Sequence, residues 1–284
     1  MTRVAVLGTG LMGSAMARHM AGQGLDVHAW NRTPDKARAL RGDGVHPAAS
    51  VEQAVQDADA VITMVPTGDV VAALAARFLP AMPAEAVWLQ MSTVGGAWTD
   101  RLLRQAAEAG RRMLDAPVSG SSQPAEQGTL VLIVSGAPEV LERARPVLDV
   151  LGSHVAHVGE AGEASRVKVI VNNWMTASVV AMADTMLACE QLGLDPVHVL
   201  RVLQDGPLGM PYALQKAGEI RARAYPAGFP LGLALKDLGL LAEERHRSSR
   251  LSDTVRETLQ RAVEAGHGRE DVAAVAELLR RDLL

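Results

Sequence analysis

The stretch RVAVLGTGLMGSAMARHM, residues 3–20, decides how the rest of the chain is read. RVAVL (3–7) suits a buried strand, and AMARHM places apolar residues at helical three-and-four spacing. Between them lies GTGLMG, residues 8–13. A glycine-rich turn that follows a strand and opens a helix is the context in which G-x-G-x-x-G carries meaning. Gly8 permits the tight turn, Gly10 lets backbone N–H groups approach a pyrophosphate, and Gly13 allows close helix–strand packing. With Thr9, Leu11 and Met12 they form a candidate cofactor-binding loop. The helix N-terminus behind that loop favours negative charge.

Outward from this unit the pattern repeats. DVHAW (26–30), AVITMV (60–65) and AVWLQM (86–91) read as strands, with DVVAALAARF and TDRLLRQAAEAG as helices between strand candidates. Shorter runs follow in RRMLDA, TLVLIVSG and SHVAHV. Alternation at this interval predicts a parallel sheet with right-handed crossovers, a Rossmann-type doubly wound α/β domain over residues 1–160. After GEAGEA (159–164) no convincing strand remains. Residues 161–284 read as an all-α domain that begins with a long interdomain helix.

Bulk properties narrow the partners. The 284 residues are 48% hydrophobic and 21% charged, with a formal net charge of -4. No basic excess points to nucleic acid, and with aromatics at 3% there is little from which to build stacking platforms. No apolar run reaches the roughly 20 residues that span a bilayer. MTRVAVLGTG reads as strand and turn rather than signal peptide, so a soluble cytoplasmic protein is expected. Cys189, the single cysteine, excludes an intrachain disulfide or a cysteine-clustered zinc site and reads as a small core residue. His154 and His157 lack the convergent partners of a metal site, so no metal is expected.

The second strand bears on which dinucleotide binds. It ends at Trp30, and Asn31-Arg32-Thr33 stand where an acid usually caps the ribose of NAD. No carboxylate is there to repel a 2′-phosphate, which Arg32 and the Thr33 hydroxyl can hold instead. NADP is expected over NAD. The plainer alternative is a solvated arginine in a turn, with Thr33 capping the helix that begins at Pro34.

Three further stretches draw notice. MSTVGG (91–96) leaves Ser92 and Thr93 at a strand end, where hydroxyls can cap the next helix or touch a nicotinamide. DAPVSGSSQPAEQGTL (115–130) joins two strands through small residues; around Ser119-Gly120-Ser121 its N–H groups can hold a carboxylate, though alone it reads as a connection. GEASRVKVIVNNW (162–174) sets Lys168 in an apolar helical run, with Asn172 four residues on and on the same side. A lysine there either snorkels to solvent or has chemistry to perform.

Together these motifs resemble the β-hydroxyacid dehydrogenase family, which includes 3-hydroxyisobutyrate dehydrogenase and semialdehyde reductases. GTGLMGSAMARHM, NRTPDKA, MVP (64–66), MST (91–93), DAPVSGS with AEQGTL, GEASRVKVIVNNW and FPLGLALKDLGL (229–240) occur in the family's order over nearly the whole length. The resemblance implies hydride transfer between a nicotinamide and a small carboxylate-bearing 3-hydroxyacid or semialdehyde, in a homodimer or higher homo-oligomer. It makes Lys168 the general acid/base and Asn172 its substrate-orienting neighbour. It assigns the substrate carboxylate to Ser119, Gly120 and Ser121, and cofactor contacts to Val65, Pro66, Thr93 and Lys236. Ser121 stands where the family has a second glycine, and VGG (94–96) lacks the usual proline, which predicts a looser strand end. Lys236-Asp237 by itself matches common surface chemistry on a helix. Imine reductases share the architecture but usually carry aspartate or tyrosine at the Lys168 position; a non-catalytic nucleotide-binding module is the other alternative.

Overall fold

The computed structural model describes residues 1–283; Leu284, the last residue of the expected second domain, lies outside them. The chain forms two compact units, Met1–Lys168 and Val169–Leu284. They divide after Lys168, within a helix.

The first unit contains β1 (Arg3–Leu7), β2 (Asp26–Trp30), β3 (His46–Pro47), β4 (Ala60–Thr63), β5 (Val87–Gln90) and β6 (Arg112–Asp115) in one sheet. Its order is β3-β2-β1-β4-β5-β6, and every recorded pairing is parallel. This is the doubly wound order, whose direction reverses between β1 and β4; ligands bind at the carboxyl ends of strands beside such a reversal. The central strand is buried on both faces. Val4 and Val6 enter one core with Met16 and Met20, while Ala5 and Leu7 enter the other with Phe78 and Trp88. That two-sided burial explains why RVAVL is a near-continuous apolar run.

The expectation of a single parallel sheet needs correction at its end. β7 (Val118–Ser119), β8 (Leu130–Val134) and β9 (Gly152–His157) form a separate three-stranded sheet. β7 and β8 are antiparallel, because the connection between them is too short for a crossover. The two sheets meet where Asp115 and Ser135 exchange backbone hydrogen bonds of 3.3 and 2.9 Å. Two strands escaped the sequence reading: β3 and β7 are two residues each, and β3 carries Pro47, a residue confined to sheet edges.

Helix Glu163–Leu192, 30 residues long, begins after Gly159 and Gly162, both at positive φ. It stops where Gly193 turns into the left-handed region, and Asp195 then caps Pro196–Asp205 by accepting from the Val197 N–H. Helices Pro211–Ala222, Leu231–Glu244, Arg250–Glu264 and Val275–Asp282 complete the second unit. Val179, Ala183 and Met186 of the long helix share its core with Leu231, Leu238, Leu259 and Val275. Among the described residues no strand follows His157, as the sequence led one to expect. Cys189 is buried, and among the described residues no helix is long and apolar enough to cross a membrane.

Candidate active site

The glycine loop has the geometry its spacing implies. Gly8 sits at φ +107°, and a Cβ there would lie 2.3 Å from the Met64 carbonyl oxygen. At Gly13 a Cβ would lie 1.9 Å from the Gly8 carbonyl oxygen, so only glycine lets helix Leu11–Gly22 start this close to the turn. Gly10 differs: nothing of the protein lies within 4 Å of the added atom. Two glycines therefore fit protein against protein, and the third leaves an open side next to a helix N-terminus that no side chain caps. Thr9 Oγ1, buried and without a hydrogen-bond partner among the described residues, lies within the same turn.

Asn31 does something the sequence did not suggest. Its Oδ1 accepts from the Thr9 N–H at 3.1 Å, while its Nδ2 donates to the Thr33 carbonyl at 3.0 Å. The amide thus clasps the glycine loop to the turn after β2. Arg32 and Thr33 are exposed, and Thr33 occupies the N-cap of helix Pro34–Arg38 without a side-chain capping bond. The capping alternative for its hydroxyl is not realised.

The ends of β4 and β5 are joined by a buried network. Ser92 Oγ accepts from the Val65 N–H at 2.9 Å and donates to the Thr63 carbonyl. The Gln90 side chain holds both backbone groups of Ser92, and Trp88 donates to Thr63 Oγ1. Ser92 is thereby committed to shaping the strand end, leaving Thr93, half-buried, as the residue beyond it. Val94, Gly95 and Gly96, where the family's proline is missing, are all buried. Val65 is half-buried and Pro66 exposed on the connection that follows β4.

In the proposed substrate loop, Ser119 ends β7, Gly120 has φ +136°, and Ser121 is the N-cap of helix Ser122–Gln127. Ser119 and Ser121 are half-buried. The backbone conformation requires this glycine; an added Cβ would lie 2.8 Å from Leu130 Cδ2, which would have to give way.

Lys168 and Asn172 lie one turn apart on the long helix, and both are buried. Asn172 Nδ2 donates to Asp237 Oδ2 at 2.6 Å, and Lys236 Nζ lies 2.9 Å from Asp237 Oδ1. Asp237 is 3% exposed, which overturns the surface reading of this Lys-Asp pair. Asn172 Oδ1 and, one turn further, Thr176 Oγ1 are buried without hydrogen-bond partners among the described residues. A polar strip thus runs through an apolar helix.

Asp115 is a further polar group that sequence reasoning passed over. It is fully buried and accepts from the Ser165 N–H at 2.8 Å, Ser165 Oγ at 2.6 Å and Ser135 Oγ at 3.3 Å. Burial pushes its pKa up to about 6, although these hydrogen bonds favour the charged form. The visible signal was an aspartate ending a strand in DAP; its partners, 20 and 50 residues away along the chain, were invisible.

The chain is similar to known proteins over nearly its whole length. Residues 3–159 match the NAD binding domain of 6-phosphogluconate dehydrogenase. Residues 162–279 match the NAD-binding region of NADP-dependent 3-hydroxyisobutyrate dehydrogenase. The 3-sulfolactaldehyde reductase of Escherichia coli is 32% identical over 99% of this chain and 96% of that protein. Glyoxylate/succinic semialdehyde reductase 2 of Arabidopsis thaliana is 31% identical over 98% of this chain and 79% of its own. Among solved structures, a 3-hydroxyisobutyrate dehydrogenase of Mycobacterium tuberculosis with L-serine aligns at TM-score 0.89 and 29% identity, covering 99% of both chains.

Proposed function

The chain belongs to the β-hydroxyacid dehydrogenase family of NAD(P)-dependent oxidoreductases, and from that premise we propose that it is an NADP-dependent reductase of small semialdehydes with Lys168 as general acid/base. In the reverse direction it would oxidise the corresponding 3-hydroxyacid. The observation that carries this reading is the buried pair on one helix, Lys168 and Asn172, the latter with an amide oxygen unpartnered among the described residues.

Bound NADPH supplies the hydride; the chain supplies position and a proton. The loop Gly8–Gly13 offers backbone N–H groups to the pyrophosphate. Arg32 and Thr33, exposed and uncommitted, suit a 2′-phosphate. Val65, Pro66, Thr93 and Lys236 are assigned to the remainder of the cofactor. Ser119, Gly120 and Ser121 hold the substrate carboxylate through short polar groups. As the carbonyl oxygen gains negative charge it takes a proton from Lys168 Nζ; in oxidation the neutral amine takes the hydroxyl proton back. Asn172, its Nδ2 held by Asp237, turns Oδ1 toward a hydroxyl or ammonium donor.

The test is a panel of glyoxylate, succinic semialdehyde and 3-sulfolactaldehyde, their uncharged analogues and a cyclic imine, followed by NADPH absorbance. Turnover of the anionic aldehydes is expected. Turnover of the imine alone would move the chain to the imine reductases. Lys168→Ala should lower kcat by on the order of 10²–10⁴. Lys168→Arg should be nearly as damaging, because guanidinium does not release its proton at working pH.

A further inference from the structure

We propose that Asp115 is a positioning residue for Lys168, acting through Ser165. The inference rests on Lys168 being the acid/base and deepens that reading.

A helix leaves its first N–H groups without partners inside the helix, and ordinarily the residue at its own N-cap satisfies one of them. Helix Glu163–Leu192 is begun differently. Its opening is held by side chains that arrive from two sheets. Ser135, just past β8, accepts from the Gly162 N–H at 3.2 Å and the Ala164 N–H at 3.0 Å. Asp115, the last residue of β6, takes both the Ser165 N–H and the Ser165 hydroxyl. Thr99 Oγ1 lies 2.9 Å from Ser165 Oγ, so the serine is also approached from helix Gly96–Glu108.

The carboxylate therefore grips one residue at two points. A single hydrogen bond leaves a helix free to roll about it; two bonds to one serine, backbone and side chain, fix rotation as well as height. Ser165 and Lys168 are three positions apart, on the same face in consecutive turns. The rotational setting of Ser165 is the setting of the Lys168 Cα–Cβ bond. Asp115 and Ser135 also exchange backbone hydrogen bonds, so the grip comes from the rigid junction of the two sheets.

The geometry points to a residue that never touches substrate yet sets where the proton donor starts. Small misplacement of an oriented group is expensive; a shift of about 1 Å can cost on the order of 10²-fold in rate. A purely structural aspartate would instead lower stability and leave turnover per folded molecule intact.

The experiment measures kcat, KM and NADPH affinity for wild type, Asp115→Asn, Lys168→Ala and the double variant, all on the full chain. Asp115→Asn keeps the volume but replaces one acceptor oxygen with an amide. It should lower kcat about 10- to 100-fold, with NADPH affinity within about twofold of wild type. In the Lys168→Ala background the same change should cost nothing further, because a displaced lysine and an absent one are alike. Equal losses in both backgrounds, or no loss in the first, would overturn the inference. If Lys168→Ala alone retains full kcat, the acid/base reading has failed instead. Should Asp115→Asn not fold, Ser165→Ala removes the hydroxyl grip alone and Ser165→Thr restores it. The alanine variant should then lose turnover and the threonine variant regain it; loss in neither would overturn the inference.

Discussion

Asn172 and Asp237, 65 residues apart in sequence, meet at 2.6 Å inside the second unit, amide nitrogen to carboxylate oxygen. The contact dictates the orientation of the amide, since only Nδ2 can donate to the carboxylate. Replacing Asn172 by aspartate keeps the shape but sets two carboxylates against each other, and one must then hold a proton. The variant is expected to be least stable above neutrality, where that shared proton is hardest to keep. Urea unfolding midpoints at pH 5 and pH 8 check this; a destabilisation independent of pH would mean that the side chains separate.

Arg32 is expected to discriminate between the two dinucleotides. Arg32→Ala should weaken NADPH binding roughly tenfold to a hundredfold and NADH binding far less. Isothermal titration with both cofactors reads the difference. Equal losses would reduce Arg32 to a surface residue.

In the second unit Lys216, 2% exposed, is paired with fully buried Asp271 at 2.8 Å and with Glu219 at 2.9 Å. Asp271 also accepts from the Gly228, Phe229 and Ala273 N–H groups, which ties helix Pro211–Ala222 to two loops. Lys216→Met leaves a buried carboxylate uncompensated and should cost about 3–5 kcal/mol in urea unfolding. The Lys216→Met/Asp271→Asn double variant should cost less than the two single changes summed, because neither charge is then stranded. Additive losses would argue against a working ion pair.

Glu277 gives the pH dependence a definite sign. Burial opposes its ionisation, but Arg223, Tyr225 and Arg280 all donate to it and hold its pKa at about 2. With the ordinary carboxylate value higher, its contribution is complete above about pH 4.5 and disappears as pH falls toward 2. Screening by nearby water limits it to about 1–2 kcal/mol. Glu277→Gln should therefore be less stable than wild type at pH 6 and nearly equal to it at pH 2.5. A gap that persists at pH 2.5 would assign the loss to packing.

The legible parts of this protein were those whose signal is local. RVAVLGTGLMG contains its strand, turn and helix start within eleven residues, and β1 and β2 run over the residues expected. What the sequence concealed depends on distant partners. Asp237 follows a lysine on a helix, the usual look of a solvated face, yet it is buried and bonded to Asn172, 65 residues away. Asn31 was read for the charge it lacks, whereas its two bonds to Thr9 and Thr33 come from the geometry of an amide. β7 is too short to show any period, and its antiparallel pairing follows from loop length. The candidate residues of the glycine loop are brought together in one turn; the assignments made through resemblance rest on position within their motifs.

The clasp at Asn31 has a consequence for anyone redesigning cofactor choice. The intuitive edit toward NADH is an acid at the end of β2, and Asn31→Asp is the obvious candidate. An aspartate keeps the acceptor for the Thr9 N–H but sets a negative oxygen against the Thr33 carbonyl, where Nδ2 now donates. The same edit would thus retune recognition and unfasten the loop proposed to cradle the phosphates. Arg32 carries no such double duty. Retargeting should begin there, leaving the amide in place.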